Sequence, residues 1–566
     1  PRWPRFWETF GEDPLLVSTM GAASIRGMQE GEVPVAATMK HFLGYSQPLS
    51  GKDRTPAWIP ERQLREIFLP PFQAGVDAGV MTVMVNSGEM NGIPVHANRD
   101  LLTDLLREEM GFEGLVVTDW EDIKYLVTRH KVAATYKEAV EMALNAGIDM
   151  SMVPLDLEFP ELVVELVKEG RITEERIDAS VRRILGVKWD LGLIEQPGPP
   201  EQHEVNEAWR ASQRELAQKA AEQSITLLKN EGGVLPLDGS NGIWVTGPTS
   251  ASLAALNGGW TGTWQGTNPE YDTPGAVSAL EALRAQWGAD VAHFPLDMEF
   301  TDADIERAVN DLKAQDHPQA ALVFLGEMPY TELVGNDEEV ALAPNQTALV
   351  QALSLTGVPI IGVYLGGRPR RMEAAIEALD GFVMAYLPGN EGGAAIARIL
   401  DGTVNPSGHL PFTWPRKAGT HLTYDHKHTE RIHTDFSLSA FRPQFTFGSG
   451  LNYSPIEVVK LDVSGEEFGL TEVVEVSATL ENTGSRDAED VVLLFSQDRV
   501  ASITPSVDRL RAFRRVNVPA GRRVEVRFNL PIQELGFIGK DLNYVVEPGE
   551  FGLRIDALTT TILVKP

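Results

Sequence analysis

Four stretches of this chain carry groups able to do acid–base or hydrogen-bonding chemistry at the end of an apolar run. GLVVT (114–118) leads into Asp119 and Trp120, and PVAATM (34–39) leads into Lys40 and His41. VMTVMV (80–85) leads into Asn86, Ser87 and then Glu89, while AGIDMSM (146–152) contains Asp149. A carboxylate, a cation, an imidazole and an indole at neighbouring strand ends make a polar pocket with one apolar wall. Sugars, with hydroxyl edges and apolar C–H faces, have the matching character. Each group also has a plainer reading. An Asp ending a strand commonly turns the chain or caps a helix, and a Lys–His pair is often a surface feature. Asp149, inside an apolar segment, reads more readily as a structural hydrogen-bonding partner than as a catalyst. Glu121 and Asp122 belong to the first turn of a following helix, where the dipole favours acids.

Groups so placed need a frame that aims them at one point. Between the apolar runs lie stretches of helical period such as PERQLREIFLPPFQAGVDAG and YKEAVEMALNAG. Strands buried on both faces and separated by helices form a parallel sheet. Their spacing suits a (β/α) barrel, whose strand C-termini line the catalytic mouth. About four strands are present where a closed barrel has eight, so residues 1–194 read as part of a (β/α)8 TIM-like barrel. EQPGPPEQHEVNEAWRAS marks a linker over 195–215. A second α/β unit, expected to be an α/β sandwich, follows over 216–418, with strands at GIWVTG, AALVFLG, PIIGVYLGG and GFVMAYLPG. Residues 419–454, including THLTYDHKHTERIHTD, read as an irregular connection. Segments of alternating polarity over 455–566 read as a β-sandwich. The fold class is therefore multidomain α/β with a terminal β-sandwich.

Bulk properties narrow the partners. The 566 residues hold 49 Lys and Arg against 80 Asp and Glu, a net charge of −31. A surface so acidic disfavours nucleic acid and anionic membranes and leaves a neutral substrate as the easier expectation. With no cysteine, thiol catalysis, disulfides and thiolate metal sites are all excluded. His421, His426, His428 and His433 lie close together in sequence, but their spacing fits no tight metal site, and a solvated insertion is the simpler reading.

Several motifs, in order, resemble glycoside hydrolase family 3, the β-glucosidase and exoglucanase family: RWPRFWETFGEDP, VAATMKHF, GLVVTDWEDI, SITLLKNEGGVLPL, GGWTGTWQG, LGEMPYTE, LPGNEGG, NPSGHLPFTWP, FTFGSGLNYS and VEPGEFGLRID. The resemblance implies a carboxy-terminal fibronectin type III-like domain, more a packing module than a sugar-binding one. It implies Asp119 as catalytic nucleophile, Arg5, Lys40 and His41 as ligands of the sugar hydroxyls, and Trp120 and Trp264 as a clamp on the next sugar. It points to Glu332 as acid/base, with Glu327 as second choice; the plainer reading of Glu327 is a carboxylate that holds its own loop.

The implied activity is a retaining exo-acting β-glucosidase or exo-β-glucanase that needs no cofactor and acts on a small oligosaccharide or β-glucan. Its implied setting is periplasmic or secreted. The oligomeric state stays open, a homodimer included. A β-xylosidase of the same family is the nearest rival, and a truncated, non-catalytic carbohydrate-binding relative is a second. KHFLGYSQ in place of KHFPGHG disfavours the N-acetylglucosaminidase branch. Family members carry more barrel before RWGR than this chain does, which leads to the expectation of open sheet edges, an incomplete sugar site and low solubility or activity. Pro4, where Gly is usual, is expected to shift Arg5, and Ser87 stands where many members have Tyr, leaving Asn86 or Glu89 as alternatives at the mouth.

Overall fold

Apolar runs become strands here only where they find a neighbour to pair with. The computed structural model describes residues 2–31, 33–155, 157–197, 207–419, 423–431 and 441–566. In its first part, β1 (Thr38–Phe42), β2 (Thr82–Val85), β3 (Leu115–Trp120) and β4 (Met150–Met152) form a parallel sheet in the order β1-β2-β3-β4. Val83, Val85 and Val116 are fully buried in it. Helices surround the sheet: α1 (Pro14–Gln29), α2 (Asp122–Thr128), α3 (Tyr136–Ala146) and α4 (Glu174–Asp190). Asp13 caps α1, with Pro14 in the first turn. Thr135 and Glu138 close a capping box on α3.

The strands are displaced from their apolar runs. PVAATM was expected to be the strand itself, yet Val35 is 60% exposed and pairing with β2 begins only at Thr38. Lys40 and His41 therefore lie within β1, and Asp119 and Trp120 are the last two residues of β3. Pairing, rather than hydrophobicity, sets these limits.

Asp149 holds the opposite end of the sheet. Its Oδ2 accepts from Arg107 Nη2 at 2.6 Å and from the Val116 amide at 3.1 Å. Its Oδ1 accepts from Ser180 Oγ at 2.7 Å and Arg183 Nη1 at 2.9 Å, and lies 3.5 Å from Arg176 Nη1. This is the structural role, and it fastens α4 beneath β3.

The expected linker is only partly one. Residues 207–215 belong to a helix, α5 (Glu207–Ser224), because AWRASQRELAQKAAEQ is rich in strong helix formers. Beyond it a six-stranded sheet has the order β5-β10-β9-β8-β6-β7, from β5 (Thr226–Asn230), β6 (Ile243–Thr246), β7 (Val291–Phe294), β8 (Ala320–Gly326), β9 (Ile360–Leu365) and β10 (Gly381–Tyr386). All pairs are parallel except β5 with β10. Apolar residues pack on both faces of this sheet.

The last part stacks two antiparallel-rich sheets. One is built from β11 (Ile456–Val463), β13 (Val473–Asn482) and β16 (Arg523–Pro531) in the order β11-β13-β16. The other joins β12 (Glu467–Gly469), β14 (Ala488–Asp498), β15 (Arg509–Val518), β17 (Gly549–Ile555) and β18 (Leu558–Lys565) in the order β12-β18-β17-β14-β15. Along β13, Val474, Val476, Ala478 and Leu480 are buried while alternate residues face outward.

The GEDP turn joins all three parts. Glu12 accepts from the Thr413 amide and hydroxyl at 2.8 and 2.7 Å and from the Tyr424 amide at 2.9 Å. Tyr424 in turn donates its hydroxyl to Asp13 at 2.5 Å and accepts from the Leu510 amide at 2.9 Å. Arg509 adds an ion pair to Glu66 at 2.5 Å.

Removing the Asp149 carboxylate would leave three arginines uncompensated in or near the core. Asp149→Ala is expected to destabilise the protein by about 3–5 kcal/mol, read as a lowered midpoint in urea or on heating.

Candidate active site

The C-terminal ends of β1 and β3 and a loop of the second part meet at one cleft. Asp119 is buried at the end of β3. Its Oδ1 accepts from the Trp120 amide at 2.6 Å, and its Oδ2 accepts from Ser87 Oγ at 3.0 Å. Arg54 Nη2 lies 3.5 Å from Asp119 Oδ2 and also 3.5 Å from Glu332 Oε1. One nitrogen thus touches both carboxylates, and the two oxygens can be no further apart than twice that distance.

The two acids have different environments. Burial opposes the charge of Asp119, but Arg54, the Trp120 amide, Ser87 and Arg5 outweigh it and hold the carboxyl below the usual Asp range. Burial also disfavours charge on Glu332; Arg54 and Arg5 counter it, while Asp119 and Asp53 add to it, and the balance lies above the usual Glu range. One acid is thereby kept ionised and the other is biased toward its protonated form, the division of labour a two-carboxylate reaction needs.

Around this pair stand several other groups the sequence singled out. Arg5 is fully buried in spite of Pro4. Glu8 grips it from Oε1 and Oε2 at 2.7 and 2.6 Å, and its Nη1 donates to Glu332 at 3.3 Å. The same Nη1 is 3.2 Å from His41 Nε2. An arginine only donates, so His41 accepts there and carries its proton on Nδ1. Burial, with Arg5 and Lys40 beside it, keeps the ring neutral. Lys40 sits 5.7 Å from the centre of the Trp260 ring, which also faces Arg5 at 5.7 Å. Desolvation and the neighbouring Arg5 lower its ammonium from the usual range. Trp120 and Trp264 present indoles that are 46% and 48% exposed.

Glu332 opens a short turn, Glu332–Gly335, with a left-handed backbone at φ 52°. That loop is locked from two sides. Thr331 exchanges main-chain bonds with the Gln265 side chain at 2.9 and 3.2 Å, next to Trp264. Its hydroxyl donates to Glu8 at 3.1 Å, so a single carboxylate steadies both Arg5 and the Glu332 loop.

Glu327 lies in a network of its own. Arg370 donates to its Oε2 at 2.9 and 2.5 Å, and Tyr330 and the Gly367 amide donate to Oε1 at 2.8 and 3.2 Å. Every oxygen is committed to holding the loop. At the β2 end, Ser87 reaches Asp119. The Asn86 side chain instead bonds the Leu43 carbonyl and the Gly88 amide at 2.8 and 2.7 Å, while Glu89 pairs with His130 at 3.3 Å.

Sequence reasoning missed Arg54, Glu8 and Trp260. A signal for Arg54 existed, since GKDRT follows the β1 strand and lies in the loop that leaves its C-terminal end, where barrel loops line the mouth. His421 and His433 fall outside the described residues. His426 Nε2 accepts from Arg431 at 2.8 Å, and its Nδ1 faces the Tyr424 carbonyl at 2.7 Å. Among the described residues no cluster of three or more His, Asp or Glu is arranged to hold a metal, and no helix is long and apolar enough to cross a membrane.

Comparison with known proteins agrees with this architecture. Residues 1–187 match the glycosyl hydrolase family 3 N terminal domain, 225–453 the glycosyl hydrolase family 3 C-terminal domain, and 490–558 a fibronectin type III-like domain. A lysosomal β-glucosidase of Dictyostelium discoideum is 41% identical, over 98% of this chain and 70% of that protein. A periplasmic β-glucosidase of Salmonella typhimurium is 32% identical, over 98% of this chain and 77% of its own length. The crystal structure of a β-glucosidase from Listeria innocua in complex with isofagomine superposes with a TM-score of 0.91 at 28% identity, covering 100% of this chain and 80% of that one. With its domains matched in order and a relative this similar along nearly its whole length, the chain belongs to glycosyl hydrolase family 3.

Proposed function

We propose that the protein is a retaining, exo-acting β-glucosidase that releases terminal β-D-glucosyl residues from oligosaccharides or β-glucans, with Asp119 as nucleophile and Glu332 as acid/base. The observation that carries this reading is the position of Arg54 Nη2, 3.5 Å from both carboxylates. The separation it allows includes the roughly 5–5.5 Å found between the acids of retaining glycosidases.

In the first step, ionised Asp119 attacks the anomeric carbon while Glu332 gives its proton to the departing glycosidic oxygen. The product is a glycosyl ester on Asp119. In the second, Glu332, now a carboxylate, takes a proton from water as the water's oxygen attacks the same carbon, and Asp119 leaves as carboxylate. Arg5, Lys40 and neutral His41 offer hydrogen bonds to the sugar hydroxyls, and Trp120 and Trp264 offer apolar faces to a following sugar. The relative that is 41% identical is named a β-glucosidase, which supports glucose at the terminal position, while relatives at 32% identity are named both β-glucosidase and β-xylosidase. The periplasmic relative supports a periplasmic or secreted location.

Asp119→Ala is expected to lose on the order of 10⁴-fold or more in kcat/KM on aryl β-glucosides; full activity would end this assignment. Glu332→Ala should cost roughly 10²–10⁴-fold on substrates with poor leaving groups; on activated aryl glucosides, whose first step needs little acid help, added azide should restore turnover by attacking the Asp119 ester to form the β-glucosyl azide. A parallel panel of aryl xylosides reads out the competing sugar specificity.

The pH profile follows from the two acids. Activity rises as Asp119 loses its proton, below the usual Asp range, and falls as Glu332 loses its own, above the usual Glu range. A bell with a mildly acidic optimum is expected, whereas activity climbing steadily to about pH 9 contradicts the assignment.

A further inference from the structure

Behind the two carboxylates lies a third acid that the reaction does not use. Asp122 opens α2, one turn after Asp119, and is only 2% exposed. Its Oδ1 is 3.4 Å from Arg54 Nη1, the arm of the guanidinium that also donates to Ser87 at 2.8 Å. Its Oδ2 is 3.5 Å from Nε2 of His96, a ring equally buried. Neither of these two atoms has a hydrogen-bond partner among the described residues. Left as two bare acceptors face to face they would repel, so one proton belongs between them.

The rest of the pocket says which side holds it. The main chain of Asn86 faces His96 and favours a proton on the ring, and the Asn86 amide is already given to the Phe42 carbonyl. The Asn86 acceptor is therefore its carbonyl, and the imidazole uses its N–H there. A neutral ring has only one, which makes Nε2 an acceptor. We propose that Asp122 is a positioning residue, which holds a proton in the working enzyme and donates it to His96, leaving Arg54 free to share its charge between Asp119 and Glu332.

Burial and the charge of Asp119 support this, pushing Asp122 up to about 7, against the opposing pull of Arg54. Burial pushes His96 down to about 3. The charged groups facing Asp122 are Arg54 from the loop after β1, Asp119 from β3 and Arg129 from the end of α2, with His96 as the titratable neighbour and His130 behind it, paired to Glu89. When Asp122 ionises at higher pH, its carboxylate competes for Arg54 and brings a second negative charge close to Asp119. The arginine is then drawn away from the carboxylate pair.

The inference rests on the assignment of Asp119 and Glu332, which Asp119→Ala tests separately in the same assay. Two further variants are compared with the wild type for kcat/KM on an aryl β-glucoside across pH, with melting midpoints recorded alongside. Asp122→Leu, which can bond neither neighbour, should lose roughly 10- to 100-fold, the scale of one or two hydrogen bonds to a charged group. Asp122→Asn keeps an acceptor for Arg54 and a donor for His96 at every pH. It should recover most of that loss, and its alkaline limb should report Glu332 alone, without the additional loss that the wild type shows as Asp122 ionises through about 7. An Asn variant as impaired as the Leu variant below pH 7 overturns the proposal, as does a profile superimposable on that of the wild type.

Discussion

One guanidinium organises this active site. Arg54 has carboxylates on three sides, with Asp119 and Glu332 at Nη2, Asp122 at Nη1 and Asp53 at Nε. Without it, four acids would crowd a space from which water is largely excluded, and their mutual repulsion would protonate most of them. With it, the charge divides unevenly. Asp119 also gains an amide and a hydroxyl and stays ionised, while Glu332 and Asp122 lie on the less favoured side. The difference in proton affinity between chemically similar side chains thus follows from burial, from how one cation is shared, and from the amide and hydroxyl that Asp119 gains.

Holding that cation in place is a task for more than one domain. Trp3 bonds Asp53 at 3.2 Å from the start of the chain, and Asn336 of the second domain accepts the Asp53 amide at 2.8 Å. Glu8 joins Arg5 to the Glu332 loop, and the GEDP turn that follows is fastened to the second and third domains together. Arg54, Glu332 and Trp260 adopt left-handed backbones at φ 57°, 52° and 67°. Such conformations cost of order 1–3 kcal/mol each in non-glycine residues and persist only where their surroundings fix them. The density of interdomain bonds at this cleft supplies that restraint.

The architecture was legible because it is written in local signals. β8 follows AALVFLG residue for residue, and the alternation along β13 foretold the sandwich. The motifs placed Asp119, Glu332, Arg5 and His41 in a common expectation, and the structure brings these four together. What escaped was whatever depends on pairing or on contact across long sequence distances. β1 begins four residues later than its apolar run because β2 begins there. β5 and β7 were not among the expected strands, since their short runs gain strand character only from the sheet they border. Arg54 and Glu8 look like ordinary charged loop residues until the second domain sits over them. Asp122 read as a favourable helix-start charge, a local explanation that burial beside Asp119 overrules.

Asp119 and Glu332 belong to different domains, and the loop bearing Glu332 takes its shape from Glu8 and Gln265 on either side. During synthesis the strand that ends in Asp119 leaves the ribosome long before Glu332 has been added to the chain. The first sheet therefore emerges with Asp119 in place and nothing facing it, and the carboxylate pair comes into being only when the second domain packs against the first.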